Sequence, residues 1–186
     1  MKKLETSVRV ALLSILPLVL CAPTLAQESM GSQAPSVIMV PPAITNITRG
    51  SLGKVELQFE ITKGFHINSN TPSEEYLIPT ALKMDAPTDI VVGRITYPAG
   101  QDITLPFAPA LKLNVYSGEF VVSVNVRPLT SVVPGKYALH GRLKYQACDK
   151  AACYPPKEMP VTFEVKVAKN VSHVYHNPPQ SPHAHN

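Results

Sequence analysis

Two cysteines, Cys148 and Cys153, are separated by four residues in the segment Lys144-Tyr145-Gln146-Ala147-Cys148-Asp149-Lys150-Ala151-Ala152-Cys153-Tyr154-Pro155-Pro156. A loop this short lets the chain fold back and bring the two Cα atoms within the ~4.4–6.8 Å that a disulfide spans. In an oxidising compartment the pair is expected to be bonded. Such a bond does one of two things: it staples the fold, or it exchanges with incoming thiolates. Cross-link stabilisation grows with the loop that is closed, so a four-residue loop gains little as a staple. A domain of this length also has enough core to fold without one. Spacing alone leaves both readings open. Lys150 favours a thiolate nearby and Asp149 opposes it.

Strands must position this pair. Val55, Leu57, Phe59 and Ile61 alternate with Lys54, Glu56, Gln58 and Glu60, the period of a strand with one buried face. Lys63-Gly64 then turns the chain, and Phe65–Asn68 returns it; a polar loop, Asn70–Glu75, follows. Ile78–Met84 and Asp89–Tyr97 are further strand candidates, and Leu111–Tyr116 and Glu119–Val126 flank a Ser117-Gly118 hairpin turn. Phe120, Val122, Val124 and Val126 share a face. After Pro134-Gly135, Tyr137, Leu139, Leu143 and Tyr145 face one way, while Ala138, His140, Arg142, Lys144 and Gln146 face the other. Val161, Phe163, Val165 and Val167 complete the pattern. With 19 prolines and no convincing helical period, this predicts an all-β chain of eight or nine strands, a β-sandwich. The cysteines fall between two strands, at a hairpin end near the sandwich rim.

The sequence begins with Lys2, Lys3 and Arg9, continues with the apolar run Val10–Leu20, and offers small residues at Thr24-Leu25-Ala26. This anatomy predicts a signal peptide over residues 1–26 and export of the remainder. The apolar run is too short to span a bilayer. Cys21 invites comparison with a lipid-attachment cysteine, but Leu20 stands where a small residue belongs, and cleavage after Ala26 is expected. Its removal takes away Lys2, Lys3, Arg9 and Glu5 and lowers the formal charge from +4 to +2. With no basic cluster interleaved with aromatics, nucleic-acid binding is not expected. Residues 27–48 read as a leader and first edge segment, 49–168 as the sandwich and 169–186 as a disordered tail. His173, His176, His183 and His185 in that tail have the chemistry to bind Cu(II), Ni(II) or Zn(II), yet no cysteine or carboxylate accompanies them, so no metal site is expected. Asn46-Ile47-Thr48 and Asn170-Val171-Ser172 match the glycosylation pattern, which is frequent by chance.

Tyr145-Gln146-Ala147-Cys148 followed by Cys153-Tyr154-Pro155-Pro156 resembles the signature of the N-terminal (alpha) domain of the bacterial thiol:disulfide interchange protein DsbD. Phe59-Glu60-Ile61-Thr62-Lys63-Gly64-Phe65-His66-Ile67-Asn68 and the strand ending in Asn114-Val115-Tyr116 extend the likeness over roughly residues 50–167. The resemblance implies an immunoglobulin-like β-sandwich that exchanges disulfides in the periplasm without a cofactor. It implies a thioredoxin-like protein or domain as electron donor, with periplasmic oxidoreductases or cytochrome-maturation thiol proteins as acceptors. Cys153 matches the cysteine that enters mixed disulfides and Cys148 the one that resolves them. Phe107, in Thr104-Leu105-Pro106-Phe107-Ala108-Pro109, matches the aromatic of a loop that covers the bond. The departures are local. The inter-cysteine loop is one residue shorter than in the best-known members, and Ala152 replaces an aromatic. Leu105 and Pro106 replace acidic residues. His66 and Asn68 stand where tyrosines flank the site, beside Tyr154, and a His66 packed against the pair would protonate a leaving thiolate. No membrane or thioredoxin domain accompanies the matched segment, so the donor is expected to be a separate protein. The rival expectations are an immunoglobulin-like binding module with a structural disulfide and a copper carrier using the His tail.

Overall fold

The computed structural model describes residues 36–169. The expected signal segment with Cys21, residues 27–35 of the leader and the histidine-bearing tail lie outside the described residues. Twelve strands form among the described residues, and no helix. They are β1 (Val37–Met39), β2 (Thr45–Thr48), β3 (Gly53–Ile61), β4 (His66–Asn68), β5 (Ala81–Asp85) and β6 (Ile90–Thr96). Then come β7 (Gln101–Leu105), β8 (Ala108–Ser117), β9 (Glu119–Pro128), β10 (Gly135–Tyr145), β11 (Ala147–Cys148) and β12 (Lys157–Ala168).

Two four-stranded sheets, ordered β1-β3-β9-β6 and β2-β12-β10-β5, supply the facing layers of an immunoglobulin-like β-sandwich. The alternation read from sequence decides which side of each strand is buried. Val55, Leu57, Phe59 and Ile61 of β3, with Phe120, Val122, Val124 and Val126 of β9, are each no more than 7% exposed. They meet Leu139, Leu143 and Tyr145 of β10 and Val161, Phe163, Val165 and Val167 of β12 in one apolar core. Burying that many large side chains, at roughly 1.5–3 kcal/mol each, is what sets the strand register.

A third sheet, β11-β4-β8-β7, carries the cysteines. Two turns route the chain through it. Gly64 (φ 86°) lies between β3 and β4, and Gly118 (φ 66°) between β8 and β9. Both positions need the left-handed backbone that glycine adopts without steric cost. Across β4, β8 and β11 the period of two splits the side chains between two layers. Ile67, Tyr116 and Ala147 join the main core. Leu113, Val115 and Cys148, on the other face, form a smaller cluster with Leu77 and Leu105.

The structure moves several expected boundaries. The strand expected over Ile78–Met84 begins at Ala81, because the backbone of Ile78 and Thr80 is spent on Gln146, Asn68 and Ser69 instead of a ladder. The stretch Thr104–Pro109, expected as a covering loop, is the tight end of a hairpin: Leu105 pairs with Ala108 across Pro106-Phe107. The final ladder begins at Lys157, opposite Tyr145, four residues before the alternating run that starts at Val161. Pro155 and Pro156 have no N–H to donate, so the ladder cannot extend past Lys157 toward the cysteines. Beyond Tyr145 the chain therefore leaves the second sheet at Gln146 and pairs with β4 as β11.

A candidate redox site at the edge of the third sheet

Cys148 and Cys153 are disulfide-bonded and oppose each other in an isolated antiparallel bridge. Asp149 N donates to the Ala152 carbonyl (2.9 Å) and Tyr154 N to the Ala147 carbonyl (2.8 Å), on either side of the pair. That pattern makes the cysteines a non-hydrogen-bonded pair, the position where opposed residues come closest. Their Cα atoms are 3.9 Å apart, below the span expected from spacing, because the narrow ladder position holds them there. The turn is held by Asp149, whose Oδ1 accepts from Ala151 N (2.7 Å) and Ala152 N (2.9 Å) and whose Oδ2 accepts from the Tyr154 hydroxyl (2.7 Å). The Tyr154 hydrogen bond first, then the two backbone N–H groups, hold the Asp149 carboxyl below its ordinary value. Asp149 thus serves the turn in addition to opposing a thiolate. Lys150 is exposed at its tip.

The two sulfurs are not equivalent. Cys148 is fully buried, whereas Cys153 is half-buried and lines an apolar cavity of about 250 Å³ with Tyr76, Leu77, Phe107, Leu111 and Gln146. Phe107, 44% exposed at the β7–β8 hairpin tip, meets Cys153 across that cavity. Tyr154 packs its ring against Phe65 at a centroid distance of 5.8 Å.

His66 is the register partner of Cys148 on β4, and directly opposed residues project to the same face. Its side chain is buried and its Nε2 has no hydrogen-bond partner. Burial lowers its pKa, an effect Asp149 partly offsets. The neutral form is therefore favoured in the folded state, and the unfolded chain binds more protons below the ordinary value of 6.5. Stability is expected to fall as pH drops from 6.5 toward the lowered value, and His66→Gln is expected to flatten that slope; urea titrations from pH 5 to 8 measure it.

Asn68 lies two residues beyond His66 on β4, on the same face. Fully buried, it donates from Nδ2 to the Ile78 carbonyl (3.0 Å) and to Gln146 Oε1 (3.1 Å). Gln146 is the residue that sequence reasoning misplaced. Alternation assigned it to the solvent side with Arg142 and Lys144, but the change of sheet after Tyr145 turns it onto the cysteine face. There its Oε1 also accepts from Ile78 N (3.3 Å), and its Nε2 donates to the Tyr154 carbonyl (3.2 Å). It ties β4, the Asn70–Thr80 loop and the second cysteine strand together. Removing a partner from buried donors costs about 1–3 kcal/mol. Gln146→Leu is expected to lower stability by that amount, read from the urea midpoint.

The loop after β4 was also missed as a wall of the site. Ser73 Oγ donates to the Lys112 carbonyl and accepts from Asn114 N, laying Tyr76 and Leu77 over the cysteine face. Its alternation-free polar sequence held no signal of that. Among the described residues no group of three or more His, Cys, Asp or Glu is arranged to hold a metal. No helix among them is long and apolar enough to cross a membrane.

The family model described as thiol:disulfide interchange protein DsbD, N-terminal, matches residues 34–177. The chain belongs to this family. No curated protein sequence matches it. Among solved structures it is similar to the Neisseria meningitidis DsbD N-terminal domain in the reduced form, at 22% identity and a TM-score of 0.39, over 63% of this chain and 82% of that one. It is also similar to the N-terminal periplasmic domain of ScsB from Proteus mirabilis, at 12% identity and a TM-score of 0.46, over 68% of this chain and 44% of that one. A type I cohesin from Pseudobacteroides cellulosolvens gives 13% identity and a TM-score of 0.45, over 76% and 98%. The DsbD N-terminal domain is a periplasmic domain, and membership together with a cysteine pair at disulfide distance fits thiol–disulfide exchange.

Proposed function

We propose that this chain is a periplasmic electron carrier. It takes reducing equivalents from a thioredoxin-like donor and delivers them to other exported thiol proteins, periplasmic oxidoreductases or cytochrome-maturation proteins among them. One observation carries the reading: the bond at the sheet edge has one buried sulfur, Cys148, and one facing a cavity, Cys153. An incoming thiolate must approach in line with the S–S bond, and the accessible sulfur is the one it reaches.

In the first step the donor thiolate attacks Cys153 Sγ; a mixed disulfide forms and Cys148 leaves as a thiolate. We read His66, opposite Cys148 and kept neutral by burial, as a hydrogen-bond partner for this thiolate, whose proton then comes from solvent. The donor's second thiolate then attacks the donor's own sulfur in the mixed disulfide and releases Cys153. The domain is left as a dithiol, and the donor as a disulfide, with two electrons transferred. The reverse sequence reduces an acceptor: Cys153 attacks, and Cys148 resolves. Phe107 supports this reading as the residue that shields the bond, since it must move aside before the cavity admits a partner. Export through a signal over residues 1–26, with Cys21 removed rather than lipidated, belongs to the same reading, as does a redox unit spanning 49–168.

Equilibration with thioredoxin in defined redox buffers tests the proposal. A reduction potential above about −300 mV, with reduction by stoichiometric reduced thioredoxin, is expected, since inert structural bonds lie below that value. A bond that survives excess reduced thioredoxin leaves the carrier reading without support.

A further inference from the structure

Asp149 directly follows Cys148, and Tyr154 directly follows Cys153. The hydrogen bond from the Tyr154 hydroxyl to Asp149 Oδ2 (2.7 Å) therefore crosses between the two arms of the hairpin as the disulfide does. Both links join residues five apart in sequence. The other carboxylate oxygen gathers the loop between the arms through Ala151 N and Ala152 N. Reduction breaks one of these parallel links and leaves the other. Among the described residues the second arm then keeps few further ties. Backbone bonds join Tyr154 N to the Ala147 carbonyl and Asp149 N to the Ala152 carbonyl, Gln146 Nε2 donates to the Tyr154 carbonyl, and the Tyr154 ring rests on Phe65. β11 has only two residues, and Pro155 and Pro156 have no N–H for a ladder. A two-stranded ribbon that small is marginal in water without side-chain support.

We infer that Asp149 is a positioning residue for the redox pair: its carboxylate, clasped by the Tyr154 hydroxyl, keeps the two thiols of the reduced domain opposed and so lowers the reduction potential of the bond. The inference rests on the carrier reading and deepens it, by naming a group that sets how strongly the carrier reduces its acceptors. Closing a disulfide between free arms costs the entropy of bringing their ends together. A clasp that stays shut in the dithiol removes most of that cost and raises the effective concentration of one thiol at the other. Linkage makes the effect reciprocal, since a clasp that favours the closed bond is itself favoured by it. The same clasp holds Cys148 next to Cys153 while Cys153 is in a mixed disulfide, which shortens the life of that species. The negative charge of Asp149 acts in the same direction by disfavouring a thiolate, so charge and clasp have to be separated. A group that only stabilised the fold would help both redox forms alike and leave the potential unmoved.

Reduction potentials of the full mature chain in glutathione buffers provide the test, with no protein partner required. Two glutathione thiols each pass one electron and one proton to the bond and leave together as glutathione disulfide. Tyr154→Phe keeps the ring on Phe65 and the charge of Asp149 and removes only the clasp. It is expected to raise the equilibrium constant for reduction at least threefold, a shift of about 14 mV. Asp149→Ala loses the clasp and both loop bonds and is expected to raise it about tenfold, or ~30 mV. Asp149→Asn keeps an oxygen for the two N–H groups and an amide that can donate to the Tyr154 hydroxyl, and is expected to stay within threefold of the parent. Thermal melts of the oxidised forms verify folding. If Asp149→Asn shifts the potential as far as Asp149→Ala while Tyr154→Phe leaves it in place, charge is responsible and the inference is overturned. Lower melting temperatures with unmoved potentials also overturn it, leaving Asp149 as a support of the turn alone. A parent potential below about −300 mV counts against the carrier reading instead, and the shifts between variants still decide the clasp.

Discussion

With Cys153 changed to serine, dithiol transfer between a reduced thioredoxin and an oxidised acceptor is expected to fall to the rate seen without the domain. Cys148→Ser is expected instead to accumulate a mixed disulfide through Cys153. The difference follows from burial: the two sulfurs close the same bond, but only that of Cys153 lines the cavity, while Cys148 is shut inside the small cluster of Leu77, Leu105, Leu113 and Val115. Both variants lose the cross-link, so both are expected to lose a similar stability, about 2 kcal/mol for so short a loop. Activity and stability thus separate. Transfer assays and non-reducing gels read the first and urea titrations the second. Full transfer by Cys153→Ser would leave the disulfide as a staple, whatever its cost to stability.

The largest expected effect on stability lies away from the cysteines. Phe59, fully buried in β3, stacks on Phe120 at 5.2 Å, and Phe120 stacks on Tyr116 at 4.8 Å. The Tyr116 hydroxyl lies 2.6 Å from Asn70 Oδ1 and 3.1 Å from the Pro98 carbonyl. The row joins the first sheet to the third, and so ties the main core to the sheet that carries the site. Truncating a buried phenylalanine leaves a cavity and costs about 3–5 kcal/mol. Phe59→Ala is expected to lose that much, lowering Tm by ~10 °C or more. Calorimetry and urea titration measure it; a loss under about 1 kcal/mol would show that the row carries no such weight.

What could be read in advance was what repeats. Val55 to Ile61, Phe120 to Val126 and Val161 to Val167 each alternate over several residues, and the energy of burying a whole face lets no register but one survive. The short elements were harder. β7 was not expected at all, because Pro106 beside Phe107 reads as loop whether or not the flanking residues pair. Gln146 obeyed the alternation of β10 in sequence and broke it in space. Its surroundings change at a step set by Pro155 and Pro156, nine and ten residues further along the chain.

The site divides in the same way. The residue types and spacing of Cys148, Cys153 and the Tyr-Pro-Pro that follows were enough to specify a small closed loop and its sulfur chemistry, because bond geometry within a few residues is local. Which sulfur is buried, that His66 stands opposite Cys148, that Asn68 and Gln146 brace the hairpin and that Tyr76 and Phe107 wall the cavity were decided only when four separate segments met on one face of the third sheet. Those contacts join residues as far apart in sequence as His66 and Cys148. They arise from the packing of the completed core against the sheet, which no local pattern encodes.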